Sequence, residues 1–280
     1  MADRLHRVEG HGGVGIAVRE TGPQDAPPIL FLHGWSQHSL CWRHQFAGPL
    51  AERFRLIAPD LRGHGASDKP GDATAYDNGS GWAGDIAALV AHCGAPPVVV
   101  GWSMGGWITG DYLRAHGDEA LAGMVLVGVA ARVGAKADPA VFGGRKADVR
   151  AEGLYGEDQA AEIVAAIAFA RAMTAAPLSK RDLAFLVGLM MHCPPAVRRA
   201  ARLRDEDWRD AFSAVRRPAL ILQGAAERVC LAPMAEELAT AMPDAELRVM
   251  QGVGHMAFWE RPAAFDDELA RFASLAHGLA

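Results

Sequence analysis

The sequence has 280 residues and a formal net charge of −5 at pH 7. Apolar residues make up 50% of it and charged residues 22%, a balance that predicts a large folded core and disfavours intrinsic disorder. Lys and Arg are not concentrated in any segment, so we expect no nucleic-acid partner. No run of about 18 apolar residues occurs, and we therefore expect no membrane-spanning segment.

The cysteines and the first residues bear on the cellular compartment. The four cysteines are scattered with no CxxC pair, which argues against a disulfide framework or a zinc site and fits a reducing cytoplasm. The first ten residues, MADRLHRVEG, lack the apolar stretch of a secretion signal. We therefore expect a cytoplasmic protein, monomeric or homodimeric, that uses neither a metal nor an organic cofactor.

Short apolar runs that end at turn residues predict strands. Because these runs lack polar alternation, they are typical of strands buried on both faces of a parallel sheet. Segments with helical periodicity lie between them; residues 82–94, for example, are predicted to begin after Ser80 as N-cap and to close at Gly94. This alternation predicts an α/β domain. The runs are ILFL (29–32), RLIAP (55–59), PVVVG (97–101), MVLVGV (124–129), ALILQG (219–224) and LRVMQG (247–252).

One region interrupts the alternation. Residues 134–212 contain no strand-like run and are rich in Ala, Arg and Glu. We interpret them as a helical cap inserted between a first core part, residues 1–133, and a second core part, residues 213–280. Two ordinary crossover helices with long loops are the alternative, but so long a gap exceeds a normal crossover.

A single serine stands between glycines at the end of the third predicted strand. The stretch GWSMG, residues 101–105, is a G-x-S-x-G pattern with a predicted strand before it and a helical pattern after it. In that setting the serine occupies a sharp strand-to-helix turn, with its hydroxyl exposed at the helix N-terminus. We therefore predict that Ser103 is a nucleophile; a glycine-rich turn with an incidental serine is the alternative.

A serine nucleophile needs a base, and histidine suits this role at neutral pH. Where this turn is used, the acid and then the histidine follow the serine along the chain. Of the four histidines after Ser103, only His255 lies in a glycine-flanked loop directly after a predicted strand. We predict His255 as the base, with a surface loop histidine as the alternative.

The acid that orients the base is expected after the preceding strand. Glu227 stands three residues after Gly224, at the end of ALILQG. The alternative is that Glu227 is a solvated carboxylate beside Arg228. The strand at 124–129 offers no carboxylate before Asp138, so Glu227 has no strong competitor.

An oxyanion formed during acyl transfer needs two N–H donors. We predict the backbone N–H of Met104, directly after the nucleophile, and that of Trp35, in the loop after ILFL where Gly34 permits an open backbone. His33 is expected to anchor that loop by hydrogen bonds.

Taken together, five motifs resemble the α/β-hydrolase superfamily, in the branch of compact bacterial serine esterases and cofactor-free haloperoxidase-like perhydrolases. The resemblance implies the α/β-hydrolase fold: a mostly parallel eight-stranded sheet flanked by helices, with a helical cap after the sixth strand. It implies the same roles for Ser103, His255 and Glu227, although the family usually has Asp in place of Glu227. The motifs are FLHGW (31–35), PDLRGHGASDKP (59–70), GWSMGG (101–106), ILQGAAERV (221–229) and GVGHMAFWERP (252–262).

The resemblance also implies a structural turn at Asp60, Arg62, His64 and Ser67, without a catalytic role. The expected activity is hydrolysis of carboxylic esters through an acyl-enzyme. Perhydrolysis and carbon–carbon bond hydrolysis on the same residues are alternatives, and a non-catalytic ligand-binding protein is a further one. An aspartate at position 103 would instead have indicated a dehalogenase or an epoxide hydrolase.

The expected substrate is a small ester with an apolar acyl or alcohol part. Four residues next to the predicted catalytic positions are predicted to line its pocket: Gly34, Trp102, Met256 and Phe258.

Overall fold

The computed structural model describes residues 3–137, 152–156 and 158–279, and in them eight strands form one sheet. Its order is β1-β2-β4-β3-β5-β6-β7-β8. β1 and β2 pair antiparallel, as do β2 and β4, and every other pairing is parallel. The strands are β1 (Arg4–Glu9), β2 (Gly15–Thr21), β3 (Pro28–Leu32), β4 (Arg55–Pro59), β5 (Val98–Trp102), β6 (Gly123–Val127), β7 (Ala219–Gly224) and β8 (Glu246–Met250).

The described residues form eleven α-helices. From β3 onward, one or two of them follow each strand, except for a group of four between β6 and β7. They are α1 (Arg43–Phe46), α2 (Leu50–Arg53), α3 (Gly79–His92), α4 (Met104–His116), α5 (Gln159–Ala172), α6 (Lys180–Met191), α7 (Pro195–Arg202), α8 (Arg209–Ser213), α9 (Ala232–Ala241), α10 (Ala257–Glu260) and α11 (Pro262–Ala276).

All six predicted strands are present, and only the expected burial of the edge strand β8 on both faces is wrong. All residues of β3, β5, β6 and β7 are buried, as continuous apolar runs predict. The run LRVMQG was expected to be buried on both faces, but β8 pairs only with β7 and Val249 is 51% exposed. An apolar run shows that a strand is stable in a sheet and does not show which strand has a neighbour on each side.

The N-cap of α3 corrects a local prediction. Ser80 was expected to cap the helix, but Asn78 does so: its side-chain oxygen accepts the backbone N–H of Ser80. The helix starts at Gly79, about one turn before its large apolar residues begin at Trp82, so the apolar pattern alone places its start too late. Gly94 follows the helix with φ +72°, as expected of a glycine that closes a helix.

Between β6 and β7 the described residues form α5, α6, α7 and α8, with one-turn 3-10 segments at Gly134–Lys136 and Glu152–Tyr155; this group is called the cap below. Residues 138–151 and 157 of the predicted insertion lie outside the described residues. An isolated antiparallel bridge between Arg132 and Asp207 joins the chain leaving β6 to the chain returning to β7. The cap therefore leaves the sheet at the carboxyl end of β6, the edge of the parallel strands where the predicted catalytic residues lie.

Candidate active site

Ser103 occupies the strand-to-helix turn that the sequence predicts. It lies between β5 and α4, has φ +52° and ψ −115°, and its backbone N–H donates to the Val127 carbonyl at 2.9 Å. A Cβ at Gly105 would lie 2.2 Å from the carbonyl oxygen of Leu32, so only glycine fits there. A positive φ at a non-glycine residue costs energy and is held by its surroundings, which is common at functional sites.

His255 and Glu227 meet at the same edge of the sheet. His255 Nδ1 lies 2.7 Å from Glu227 Oε2, and both residues are buried. The other carboxylate oxygen accepts the backbone N–H of Val229 at 2.7 Å, which fixes the carboxylate plane. Because an ionised carboxylate only accepts hydrogen bonds, Nδ1 carries the proton and Nε2 is left as the acceptor.

Contacts across the sheet link this pair to the serine. The indole N–H of Trp102, the residue before Ser103, donates to the His255 carbonyl at 2.9 Å. A Cβ at Gly128, directly after β6, would lie 2.8 Å from His255 Nδ1 and 3.2 Å from Glu227 Oε2. The ends of β5, β6 and β7 therefore converge on one site.

The two predicted oxyanion donors belong to the turns that follow β3 and β5. Met104 is the first residue of α4, where N–H groups have no acceptor within the helix. Trp35 lies in a turn closed by the Gln37 N–H bond to the Gly34 carbonyl at 3.2 Å, with Ser36 at φ +62°.

His33 anchors that turn, as predicted. Its Nε2 accepts the Leu61 N–H at 3.0 Å, so Nδ1 carries the proton and donates to the Gly34 carbonyl at 2.9 Å. Complete burial holds the pKa of His33 well below its ordinary value, with the nearby His64 acting in the same direction. The ring is therefore neutral and holds the Trp35 turn in place.

Comparisons with known proteins identify the family of this chain. The sequence profile of the alpha/beta hydrolase family matches residues 29–268. The chain belongs to the α/β-hydrolase family. The solved esterase RhEst1 from Rhodococcus sp. ECU1013 superposes on this α/β-hydrolase with a TM-score of 0.89 and 34% identity, covering 96% of this chain and 98% of that one.

Two curated relatives are similar in sequence to this α/β-hydrolase. The pimeloyl-[acyl-carrier protein] methyl ester esterase of Aromatoleum aromaticum is 30% identical over 250 residues, which is 84% of this chain and 94% of the relative. The bifunctional esterase/perhydrolase DCH of Acinetobacter calcoaceticus is 39% identical over 116 residues, 41% of each chain.

The residues predicted to line the pocket lie either at an aromatic cluster of the core or beneath the cap. Trp102 and Phe258 are buried in an aromatic cluster with Trp42, where the Phe258 and Trp42 ring centroids lie 4.2 Å apart. A Cβ at Gly34 would lie 3.0 Å from the Trp102 ring, so the oxyanion turn rests on that indole. Met256 is buried beneath the cap. A role for these residues in substrate binding stays a prediction.

On the cap side, the Trp35 side chain has partners that sequence reasoning missed. Its indole N–H donates to the Arg198 carbonyl at 2.9 Å, and its ring meets those of Phe169 and Tyr155 edge to face at 5.5 and 6.3 Å. The residue that carries a predicted oxyanion donor is thus held by three cap residues. No local pattern in the sequence indicates these contacts, because each partner lies more than a hundred residues from Trp35.

The turn after β4 is structural in the α/β-hydrolase, as the resemblance implies. The Asp60 carboxylate accepts the backbone N–H groups of Ser39 and Ala66, both at 2.8 Å. Burial raises the pKa of Asp60, but contacts with His38 and these N–H groups outweigh it and hold the pKa well below the usual range. Burial lowers the pKa of His64 to about 4, so this histidine is neutral at pH 7.

Two negative findings concern the described residues alone. No group of three or more His, Cys, Asp and Glu side chains among them is arranged to hold a metal ion. None of the helices they form is long and apolar enough to cross a membrane.

Proposed function

We propose that this α/β-hydrolase is a serine esterase that cleaves small carboxylic esters through an acyl-enzyme. Ser103 Oγ attacks the ester carbonyl carbon while His255 Nε2 takes its proton. The backbone N–H groups of Trp35 and Met104 stabilise the negative oxygen of the tetrahedral intermediate. The alcohol leaves with the proton from His255. His255 then takes a proton from water, and the hydroxide attacks the acyl carbon. When the bond from that carbon to Ser103 Oγ breaks, His255 returns the proton to Oγ and the carboxylic acid leaves.

The observation that carries this proposal is the buried 2.7 Å contact between His255 Nδ1 and Glu227 Oε2. It leaves Nε2 free to act as the base and gives the imidazolium that forms a negative partner. Glu227 has one more methylene than the usual Asp, and the Val229 N–H bond supports this longer side chain.

The proposed substrate has an apolar part. Support comes from the rings of Trp35, Phe169 and Tyr155, which meet where the oxyanion turn contacts the cap. Further support comes from the two relatives whose names specify ester hydrolysis. A cytoplasmic location and a monomeric or homodimeric state stay predictions.

The test is hydrolysis of p-nitrophenyl esters over a series of acyl chain lengths by the wild type, Ser103→Ala and Ser213→Ala. Ser213 is an exposed serine on α8 and serves as the matched control. We expect Ser103→Ala to lower kcat by at least about 10⁴-fold and the control to match the wild type. A Ser103→Ala protein with full activity would refute the nucleophile.

Perhydrolysis is a second candidate because one relative is named as a bifunctional esterase/perhydrolase. Hydrogen peroxide would then replace water in the attack on the acyl-enzyme, and a peracid would leave instead of the acid. Adding peroxide to the ester assay and measuring peracid separates the two outcomes: peracid that depends on Ser103 supports perhydrolysis, and acid alone excludes it.

A further inference from the structure

The loop that carries Glu227 is tied to the cap. Arg228, the next residue, donates from Nη2 to the carbonyl of Arg171 at 2.6 Å and to that of Thr174 at 2.9 Å. Both carbonyls lie at the end of α5 or in the turn that follows it. The loop of the proposed acid is therefore hydrogen-bonded to one cap segment by a charged donor with two acceptors.

The loop that carries His255 is tied to the same segment by a carboxylate. Glu260 Oε2 accepts the N–H of Gly254, the residue before His255, at 2.7 Å. Its Oε1 accepts the N–H groups of Ala175 at 2.7 Å and Ala176 at 3.1 Å. A single side chain thus joins three backbone amides, one from the core and two from the cap.

The two backbones approach closely at this point. A Cβ at Gly254 would lie 2.8 Å from the Ala175 nitrogen and 3.0 Å from the Thr174 carbonyl carbon. On the other side of His255, the Met256 N–H donates to the Met173 carbonyl at 3.1 Å. His255 is therefore flanked on both sides by contacts with residues 173–176 of the cap.

We propose that Glu260 is a positioning residue for His255, and that residues 173–176 of the cap form a common support for the base loop and the acid loop. The inference rests on the proposed function of His255 as a base. Glu260 acts by fixing the backbone on which the imidazole stands, so that Nδ1 meets Glu227 and Nε2 is left for the proposed role as base. Displacement of a catalytic group by about 1 Å can cost roughly 100-fold in rate.

The test compares Glu260→Gln with Asp182→Asn. The Gln side chain keeps the length of Glu260 but turns an N–H donor toward backbone donors. Asp182 also joins the cap to the core through a carboxylate, but its partner is Arg43 of α1, at 2.7 Å, and no catalytic loop. Measured quantities are kcat, KM, the melting temperature and the NMR signals of His255.

We expect Glu260→Gln to lower kcat roughly 10- to 100-fold with KM changed less than about threefold, and to shift or broaden the low-field Nδ1 proton signal of His255. Asp182→Asn should keep kcat within about twofold of the wild type and leave the His255 signal unshifted, whatever its effect on the melting temperature. The proposal is overturned if kcat and the His255 signal of Glu260→Gln match the wild type, or if both variants behave alike.

If Glu260→Gln does not fold, Arg228→Gln tests the same support from the acid loop, with the same expected pattern and the same refuting result. The NMR measurement needs no substrate, so it separates the two proposals. A Ser103→Ala protein with full activity would refute the esterase mechanism, while an unchanged His255 signal in Glu260→Gln would refute the positioning role alone.

Discussion

The sheet and the cap of this α/β-hydrolase are stabilised in different ways. The strands β3, β5, β6 and β7 consist of buried residues, and their stability comes from apolar area removed from water. In the cap, Ile163 and Val164 are 49% and 67% exposed while the guanidinium of Arg198 is completely buried. That guanidinium donates to the Leu154 carbonyl at 2.7 Å, to the Met190 carbonyl and to Glu162.

A second buried arginine joins the cap to the core. Arg204 pairs with Asp111 of α4 at 2.7 Å, and the indole of Trp208 donates to the same carboxylate oxygen at 2.8 Å. Burial raises the pKa of Asp111, and the bonds from Arg204 and Trp208 oppose that rise. Apolar burial is spread over many residues and has no direction, whereas a few charged hydrogen bonds fix one orientation. We therefore expect substitution of these two arginines to affect the cap more than strands β3, β5, β6 and β7.

The largest expected effect is a loss of kcat without a loss of stability, at Glu227 in the core. Glu227→Gln should lower kcat by about 10³- to 10⁴-fold because the amide no longer fixes the tautomer of His255 or stabilises its cation. The melting temperature should change little. Glu236→Gln, at an exposed position of α9, is the control in the same ester assay. A loss of less than about tenfold in kcat would remove Glu227 from the triad.

The next largest effect should be confined to the cap. Arg198→Met leaves two carbonyls and Glu162 without their donor, and we expect a loss of about 3–5 kcal/mol in the free energy of unfolding of the cap. Relative to the wild type, hydrogen exchange in Arg198→Met should accelerate more in α5, α6 and α7 than in β5 and β6.

Arg199→Met provides the matched control, because Arg199 is the exposed neighbour on the same helix. Its unfolding free energy should stay within about 0.5 kcal/mol of the wild type. Uniform destabilisation of sheet and cap by Arg198→Met would show that the two regions unfold as one unit.

A smaller effect tests the packing around the proposed base. Gly128→Ala places a Cβ 2.8 Å from His255 Nδ1 at a residue with φ +56°, so we expect kcat to fall roughly 10- to 100-fold. Gly94→Ala carries similar backbone strain at φ +72°, with no atom within 4 Å of the added Cβ. Equal kcat values for the two variants would contradict the proposed proximity of position 128 to the reacting groups.

The smallest effect concerns a buried carboxyl of the core. Burial raises the pKa of Asp266 to about 6, partly opposed by the Gln45 N–H bond at 2.9 Å. Because the folded-state pKa lies above the unfolded value near 3.9, the folded state is favoured by protonation and loses stability as the pH rises from about 4 to about 6.

At pH 8, the free energy of unfolding of Asp266→Asn should therefore exceed that of the wild type by about 1 kcal/mol after solvent screening. The free energies of the two proteins should converge near pH 4. Denaturation curves at both pH values measure this difference. The exposed Asp244→Asn should show no such pH-dependent gain. A constant difference between the two proteins at all pH values would rule out titration of Asp266 as its cause.

The sequence predicts much of the interior of this fold because each central strand is an uninterrupted apolar run. It does not reveal β1 and β2, because neither is an uninterrupted apolar run: β1 alternates between partly buried and exposed residues, and β2 between buried and partly buried ones. It locates β8 correctly but wrongly predicts that both of its faces are buried, since the run at 247–252 looks the same whether or not another strand pairs with it.

The same division applies to the candidate site. Ser103, His255 and Glu227 are identified from local patterns, because a nucleophile turn and a loop after a strand need particular residues at particular spacings. The roles of Glu260, Arg228 and Arg198 depend on contacts between positions far apart in the chain, which no local pattern encodes. The sequence by itself determined which groups carry the proposed chemistry, and only the packing of cap on core decided which residues hold those groups in place.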